Sequence, residues 1–121
     1  MKYWFICGSI LAGLSILIGA FGAHALKSKL NASDIEIFEI GVRYQIYHAF
    51  GLMIISILGY ELPHSLLKTP LLLLLSGTLI FSGSLYILVL TNLRWFGAIT
   101  PIGGLLLVAG WLLLSLNIYK Y

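Results

Sequence analysis

The sequence predicts an all-α integral membrane protein in which four transmembrane helices form an up-down bundle. Hydrophobic residues make up 60% of the 121 residues and charged residues only 9%, whereas soluble domains are nearer half apolar and a quarter charged. A chain this short has little interior, so in water most of its apolar surface would stay exposed. A bilayer removes that conflict, and the apolar stretches are long enough to span one.

We expect a single transmembrane domain, residues 1–121, with helices at roughly 3–25, 34–60, 70–91 and 95–118. The first helix carries no charge between Lys2 and Lys27. A signal peptide is the alternative, because Ala23-His24-Ala25 resembles a cleavage site. The apolar stretch is longer than the roughly 7–15 residues of a signal sequence, so we favour a retained transmembrane helix.

The second helix begins in the most polar part of the chain. Ser33 and Glu36 have the spacing of a capping box, in which each side chain bonds to the other residue's backbone amide. The segment that follows is amphipathic, with Glu36, Glu39 and Arg43 on one face. Glu39 and Arg43 also stand four residues apart in the favourable order for an ion pair. We therefore predict an amphipathic interfacial lead-in that continues into the membrane.

Two prolines bear on the last two helices. Thr69-Pro70 has the pattern of an N-cap followed by the first helical residue, where proline's missing amide costs nothing. The fourth helix has two interpretations: it kinks at Pro101, or it begins at Thr100-Pro101 with Trp95 to Ile99 as an interfacial lead-in. We favour the kinked helix. Aromatic residues expected in the interfacial belts are Trp95, Trp111, Tyr119 and Tyr121.

Up-down folding places many of the polar side chains on one side of the membrane. The end of the first helix, the start of the second, the end of the third and the start of the fourth all lie there. Polar residues at membrane depth are costly and usually paired. The candidate polar cluster, for binding or a proton path, consists of His24, Glu39, Arg43, Tyr44, Gln45, Tyr47, His48, Ser82, Ser84, Tyr86 and Thr100.

No chemistry in this cluster is strongly indicated. His24 and His48 at similar depth would suit a shared metal or haem, but two histidines without a third ligand are a weak signal. Ser82 or Ser84 beside a histidine lacks a carboxylate to orient the base. We predict no cofactor, no metal and no catalytic residue, and an enzyme is not favoured. The scattered basic residues argue against nucleic-acid binding, while the net charge of +3 suits anionic lipid.

Four peptides occur in order along the chain. They are Gly19-Ala-Phe-Gly-Ala-His24-Ala-Leu, Tyr44-Gln-Ile-Tyr-His48, Phe81-Ser-Gly-Ser-Leu-Tyr86 and Gly97-Ala-Ile-Thr-Pro-Ile-Gly-Gly104. Together they resemble the YgdD-like family of membrane proteins, domain of unknown function 423, over essentially the whole chain. The resemblance implies a small integral membrane protein of the bacterial cell membrane. It carries over no activity, substrate or catalytic residue.

The leading hypothesis is a structural or accessory membrane protein. Its faces rich in small residues would pack into a homo-oligomer or against a larger membrane complex. The alternative is a small oligomeric transporter or channel for protons or a small solute, using the polar cluster. A redox subunit associated with a lipid or quinone is less favoured. The bilayer is the one partner that all three hypotheses require.

Overall fold

The computed structural model describes residues 1–121 as four long helices with no strand. The helices are α1 (Lys2–Phe21), α2 (Ala32–Leu58), α3 (His64–Thr91) and α4 (Thr100–Tyr119). A π-helical turn, Gly22–Leu26, extends α1, and a 3₁₀ turn, Arg94–Ala98, precedes α4. With these turns included, all four are long and apolar enough to cross a membrane. The predicted all-α membrane fold is confirmed.

The helices α2 and α3 form the centre of the bundle. The main packing partner of α1 is α2, and the main partner of α4 is α3. Consequently 44% of the apolar span is buried in each central helix and only 22% in each outer one. The largest buried cluster joins all four helices, through Leu11, Ala49, Leu52, Ile55, Leu67, Leu71, Leu74, Leu107 and Leu114.

Glycines allow close approach in each outer pair. A Cβ atom on Gly8 would lie 2.7 Å from the carbonyl oxygen of Ala49, and one on Gly103 would lie 2.8 Å from Cα of Phe81. Both neighbours are backbone atoms, which cannot rotate away. Small residues permit this kind of backbone contact between membrane helices, so these glycines set the α1–α2 and α3–α4 distances.

The start of α2 differs from the prediction. Asn31, in extended conformation, is the N-cap, and its side chain accepts a hydrogen bond from the amide of Asp34 at 2.8 Å. The Ser33–Glu36 capping box is therefore wrong, because asparagine is as good a cap as serine and stands two residues earlier. The amphipathic lead-in is continuous with the span: Phe38 is buried, while Glu39 is exposed.

The start of α3 also differs. The helix begins at His64, after Pro63, and Pro70 lies inside it rather than at its first turn. The predicted cap at Thr69 is wrong. Proline inside a helix deprives the carbonyl four residues earlier of its donor, and here the Asn117 side chain of α4 supplies one to Leu66.

The start of α4 shows that the favoured interpretation, a helix kinked at Pro101, is wrong. A 3₁₀ turn occupies Arg94–Ala98, and a new helix begins at Thr100 with Pro101 in its first turn. This matches the second interpretation, because proline suits a position where the amide has no helical partner. Trp111 lies in the middle of α4 against Gly51, not in an interfacial belt.

Candidate functional site

Gln45 joins three helices through one side chain. It is 4% exposed. Its Nε2 donates to the carbonyl oxygen of Leu11 in α1 at 3.0 Å, and its Oε1 accepts from the hydroxyl of Tyr86 in α3 at 2.7 Å. A buried amide needs both kinds of partner, and Gln45 has both. It therefore binds α1, α2 and α3 together.

Two further contacts surround this centre. Ser82 donates to the carbonyl oxygen of Gly41 at 2.7 Å. Gly41 is a glycine because the Tyr86 ring passes over it, where a Cβ atom would lie 2.7 Å from Cε1. The same ring packs against Phe38, with centroids 5.2 Å apart. The structure thus brings Gln45, Ser82 and Tyr86 together as one α2–α3 seam.

Ser84 and Thr100 form a separate pair between α3 and α4. Their hydroxyl oxygens are 2.6 Å apart, and Ser84 also donates to the carbonyl oxygen of Phe81 at 2.9 Å. The Thr100 hydroxyl also lies within hydrogen-bond distance of the Phe96 carbonyl oxygen, at 3.4 Å, so either hydroxyl can be the donor within the pair. Neither Ser82 nor Ser84 hydrogen-bonds to a histidine, so the arrangement needed to activate a serine nucleophile is not formed.

The two histidines lie far apart. His24 is exposed on the π-helical turn, at the level where Gly22 packs against Phe38. His48 is buried about ten residues farther along α2, which is roughly 15 Å of helix. The expectation that they share a depth is wrong. No three His, Cys, Asp or Glu side chains are grouped as a metal site.

Glu39 and Arg43 do not form the predicted ion pair, since the one ion pair in the chain lies elsewhere. Both are exposed and line a groove of about 350 Å³ between the end of α1 and the start of α2. Its other lining residues are mostly apolar. Tyr47 is exposed, 55%, on the same helix. These three residues are thus separate from the Gln45 seam.

The ion pair that forms was missed from the sequence. Arg94 donates through both terminal nitrogens to the two carboxylate oxygens of Asp34, at 2.7 and 2.8 Å, and through Nε to Asn92 at 2.8 Å. Asn92 caps α3 in the left-handed conformation, φ 56°. The signal was available: up-down topology puts the start of α2 beside the turn before α4, and each offers an otherwise unpaired charge.

A second groove, of about 530 Å³, lies between α2 and α4. His48, 7% exposed, lines it with Tyr44, Phe81 and Trp111. The Nδ1 atom of His48 lies 2.7 Å from the carbonyl oxygen of Tyr44. The pair Tyr44 and His48 from the candidate cluster therefore faces a different part of the molecule from Gln45.

The chain matches the family model described as "Protein of unknown function (DUF423)" over residues 18–104. The chain belongs to this family. The matched segment contains Gln45, Ser82 and Tyr86, as well as both partners of the Asp34–Arg94 ion pair. The resemblance seen in the four peptides is confirmed.

Curated relatives are similar along their full length. The chain is 46% identical to UPF0382 membrane protein SH2409 of Staphylococcus haemolyticus, covering 100% of this chain and 98% of the relative. It is 43% identical to UPF0382 membrane protein SSP2132 of Staphylococcus saprophyticus, covering 99% of each. It is 38% identical to UPF0382 membrane protein YwdK of Bacillus subtilis, covering 100% and 99%. No solved structure matches the chain. This DUF423 protein is therefore a multi-pass membrane protein, and its relatives are named membrane proteins.

Proposed function

We propose that this DUF423 protein is a structural or accessory protein of the bacterial cell membrane that acts by associating with other transmembrane helices. The association is a homo-oligomer or a larger membrane complex. One observation carries the proposal: the polar side chains at the centre of the candidate cluster direct their hydrogen bonds to other groups of the same chain.

Those hydrogen bonds are ties between helices. Gln45 connects three helices, Ser82 connects α3 to α2, and Ser84 with Thr100 connects α3 to α4. Every completely buried side-chain nitrogen or oxygen has a hydrogen-bond partner. Polar groups in a bilayer interior hold helices together when they are satisfied in this way. Because its hydrogen bonds are already made within the chain, the cluster is better suited to holding the bundle rigid than to conducting a solute.

The outer surface supports association. Gly13 and Gly83 have no group within 4 Å of the position that a Cβ atom would take. Gly83 lines a groove of about 180 Å³ between α1 and α3 with Leu14 and Leu79, and the seam residues Gln45, Ser82 and Tyr86 line it too. A helix from another subunit can approach such positions closely, because glycine keeps the backbone accessible.

Cysteine cross-linking tests the proposal. The natural Cys7 is first replaced by serine, and then Gly13→Cys and Gly83→Cys are introduced singly. Leu112→Cys, on the exposed side of α4, is the matched control. We expect oxidation in native membranes to give a discrete cross-linked species from the glycine positions and little from Leu112. Absence of any cross-link at both glycines, together with a bare monomer in native mass spectrometry, would contradict the proposal.

Flux in liposomes separates association from transport. We expect purified protein in liposomes to show the same proton leak as empty liposomes. A proton flux that appears with the protein and disappears in His48→Ala would overturn the accessory function in favour of a transporter.

A further inference from the structure

The groove between α2 and α4 contains a hydrogen-bond acceptor in apolar surroundings. We propose that it binds a lipid-soluble molecule with a flat hydroxylated ring, of the hydroquinone class, and that Nε2 of His48 accepts a hydrogen bond from the ring hydroxyl. The site is distinct from the glycine-bearing surface proposed above for association.

The chain itself determines which nitrogen of His48 is the acceptor. Nδ1 lies 2.7 Å from the carbonyl oxygen of Tyr44, and a carbonyl oxygen can only accept. Nδ1 therefore carries the hydrogen, and the neutral ring has its lone pair on Nε2.

The lone pair on Nε2 is open to the groove. His48 makes no hydrogen bond through Nε2. Every side-chain nitrogen or oxygen that is completely buried in the chain does have a hydrogen-bond partner. Nε2 is therefore accessible although the residue is 7% exposed. The open space that His48 lines is this groove. An acceptor placed there, away from water, has a strong preference for a ligand that donates a hydrogen bond.

Aromatic walls favour a flat ring as that ligand. The rings of Tyr44 and His48 are 6.2 Å apart at an angle of 20°, and Trp111 lies 6.2 Å from His48. Phe81 packs on Tyr44, with centroids 4.8 Å apart. Aromatic pairs prefer offset or edge-to-face contacts at such separations. The volume of about 530 Å³ is within the usual range for small-molecule sites.

The remaining wall favours an apolar tail and excludes a charged headgroup. Leu105 and Val108 line the groove from α4 and are exposed on the lipid-facing surface. No Lys, Arg, Asp or Glu lines it, so the charged phosphate of a phospholipid would find no cationic partner. An acyl chain would fill the space but would leave Nε2 without a donor. A ring with a hydroxyl group and an apolar tail satisfies both parts of the groove.

Nitrogen NMR of His48 is the direct test. His24→Gln and His64→Gln leave His48 as the single histidine of the ¹⁵N-histidine-labelled protein in lipid nanodiscs. The probe is decylubiquinol, and its dimethyl ether, which has no donor, is the matched ligand. We expect decylubiquinol to move the unprotonated Nε2 resonance upfield and the ether to leave it in place. The ether should bind about tenfold more weakly, the equivalent of one net hydrogen bond.

Two variants and a control complete the experiment. His48→Phe keeps a ring but removes the acceptor, so it should lower decylubiquinol affinity about tenfold, to that of the ether. Val108→Trp should fill the groove and abolish binding, whereas Leu112→Trp, on the same helix outside the groove, should not. An unmoved Nε2 resonance at saturating decylubiquinol, or equal affinity for the ether in the parent protein, would overturn the proposal.

Discussion

Asn117 of α4 donates a hydrogen bond from Nδ2 to the carbonyl oxygen of Leu66 in α3 at 2.7 Å. Leu66 stands four positions before Pro70, which lies inside α3 and has no amide hydrogen to offer. Freed carbonyls in membrane helices are satisfied by neighbouring helices, because lipid offers no donor. Asn117 thus replaces the hydrogen bond that Pro70 removes, and it ties α4 to α3.

The first prediction concerns this replacement. Asn117→Leu should lower the free energy of unfolding by about 1–2 kcal/mol, because it leaves the Leu66 carbonyl without a donor. In a Pro70→Ala background, where the helix supplies its own amide, the same substitution should cost much less. Equilibrium unfolding of the four proteins in mixed micelles gives the coupling energy. Equal costs in both backgrounds would show that the side chain does not act through Leu66.

The second prediction concerns the seam around Gln45. Gln45→Leu should destabilise the protein by about 1–3 kcal/mol, since it removes two hydrogen bonds and leaves the Leu11 carbonyl and Tyr86 hydroxyl with fewer partners. Tyr86→Phe should cost less, about 0.6 kcal/mol, the average for a hydrogen bond between membrane helices. Unfolding in mixed micelles measures both. The interpretation fails if Tyr86→Phe is the more costly change.

The third prediction compares two glycines. Gly103→Ala should destabilise by about 1–3 kcal/mol, because the new methyl group meets the Phe81 backbone and must push α4 away from α3. Gly104→Ala, on the same helix, is the control, since a Cβ atom there would lie 3.7 Å from Cδ2 of Phe81, an ordinary van der Waals contact. It should be neutral or slightly stabilising, as alanine favours helix more than glycine. Thermal unfolding of both variants measures the difference, and similar melting temperatures would be the contrary result.

The fourth prediction concerns the Asp34–Arg94 pair. Arg94→Lys should lower the melting temperature, because lysine cannot make the two parallel hydrogen bonds of the guanidinium group. The Arg94 side chain is 50% exposed, so the loss should shrink at about 1 M salt, where the screening length is about 3 Å. Thermal unfolding in nanodiscs at low and high salt measures both effects.

The charge-reversed double variant is the control for this pair. Asp34→Arg combined with Arg94→Asp should recover part of the melting temperature that either single change loses, because the opposite charges remain adjacent. If the double variant is no more stable than the worse single one, Arg94 contributes through Asn92 or through packing, and the ion pair has little effect.

The sequence by itself determined the fold class and the number of spans. Apolar stretches of about 20 residues have one stable solution in a bilayer, because only helices satisfy their own backbone there. Up-down topology then follows from the short polar breaks. The adjacency of Gln45, Ser82 and Tyr86 was predictable only coarsely, as polar residues in the same half of the bundle. Gln45 in fact lies at the middle of α2 and bonds to Leu11 at the middle of α1.

Tertiary structure alone decided which side chains pair and where α3 and α4 begin. Asp34 pairs with Arg94, because the guanidinium group of Arg94 comes within reach of it from another segment. Arg43 has no ion-pair partner. Pro70 stayed inside α3 because Asn117, far away in the chain, offered a donor to Leu66. His24 and His48 lie apart because α1 packs antiparallel on α2 with Gly22 against Phe38, which puts His48 about ten residues farther along α2. Pairings across helices depend on rotation and register, which an apolar pattern does not encode.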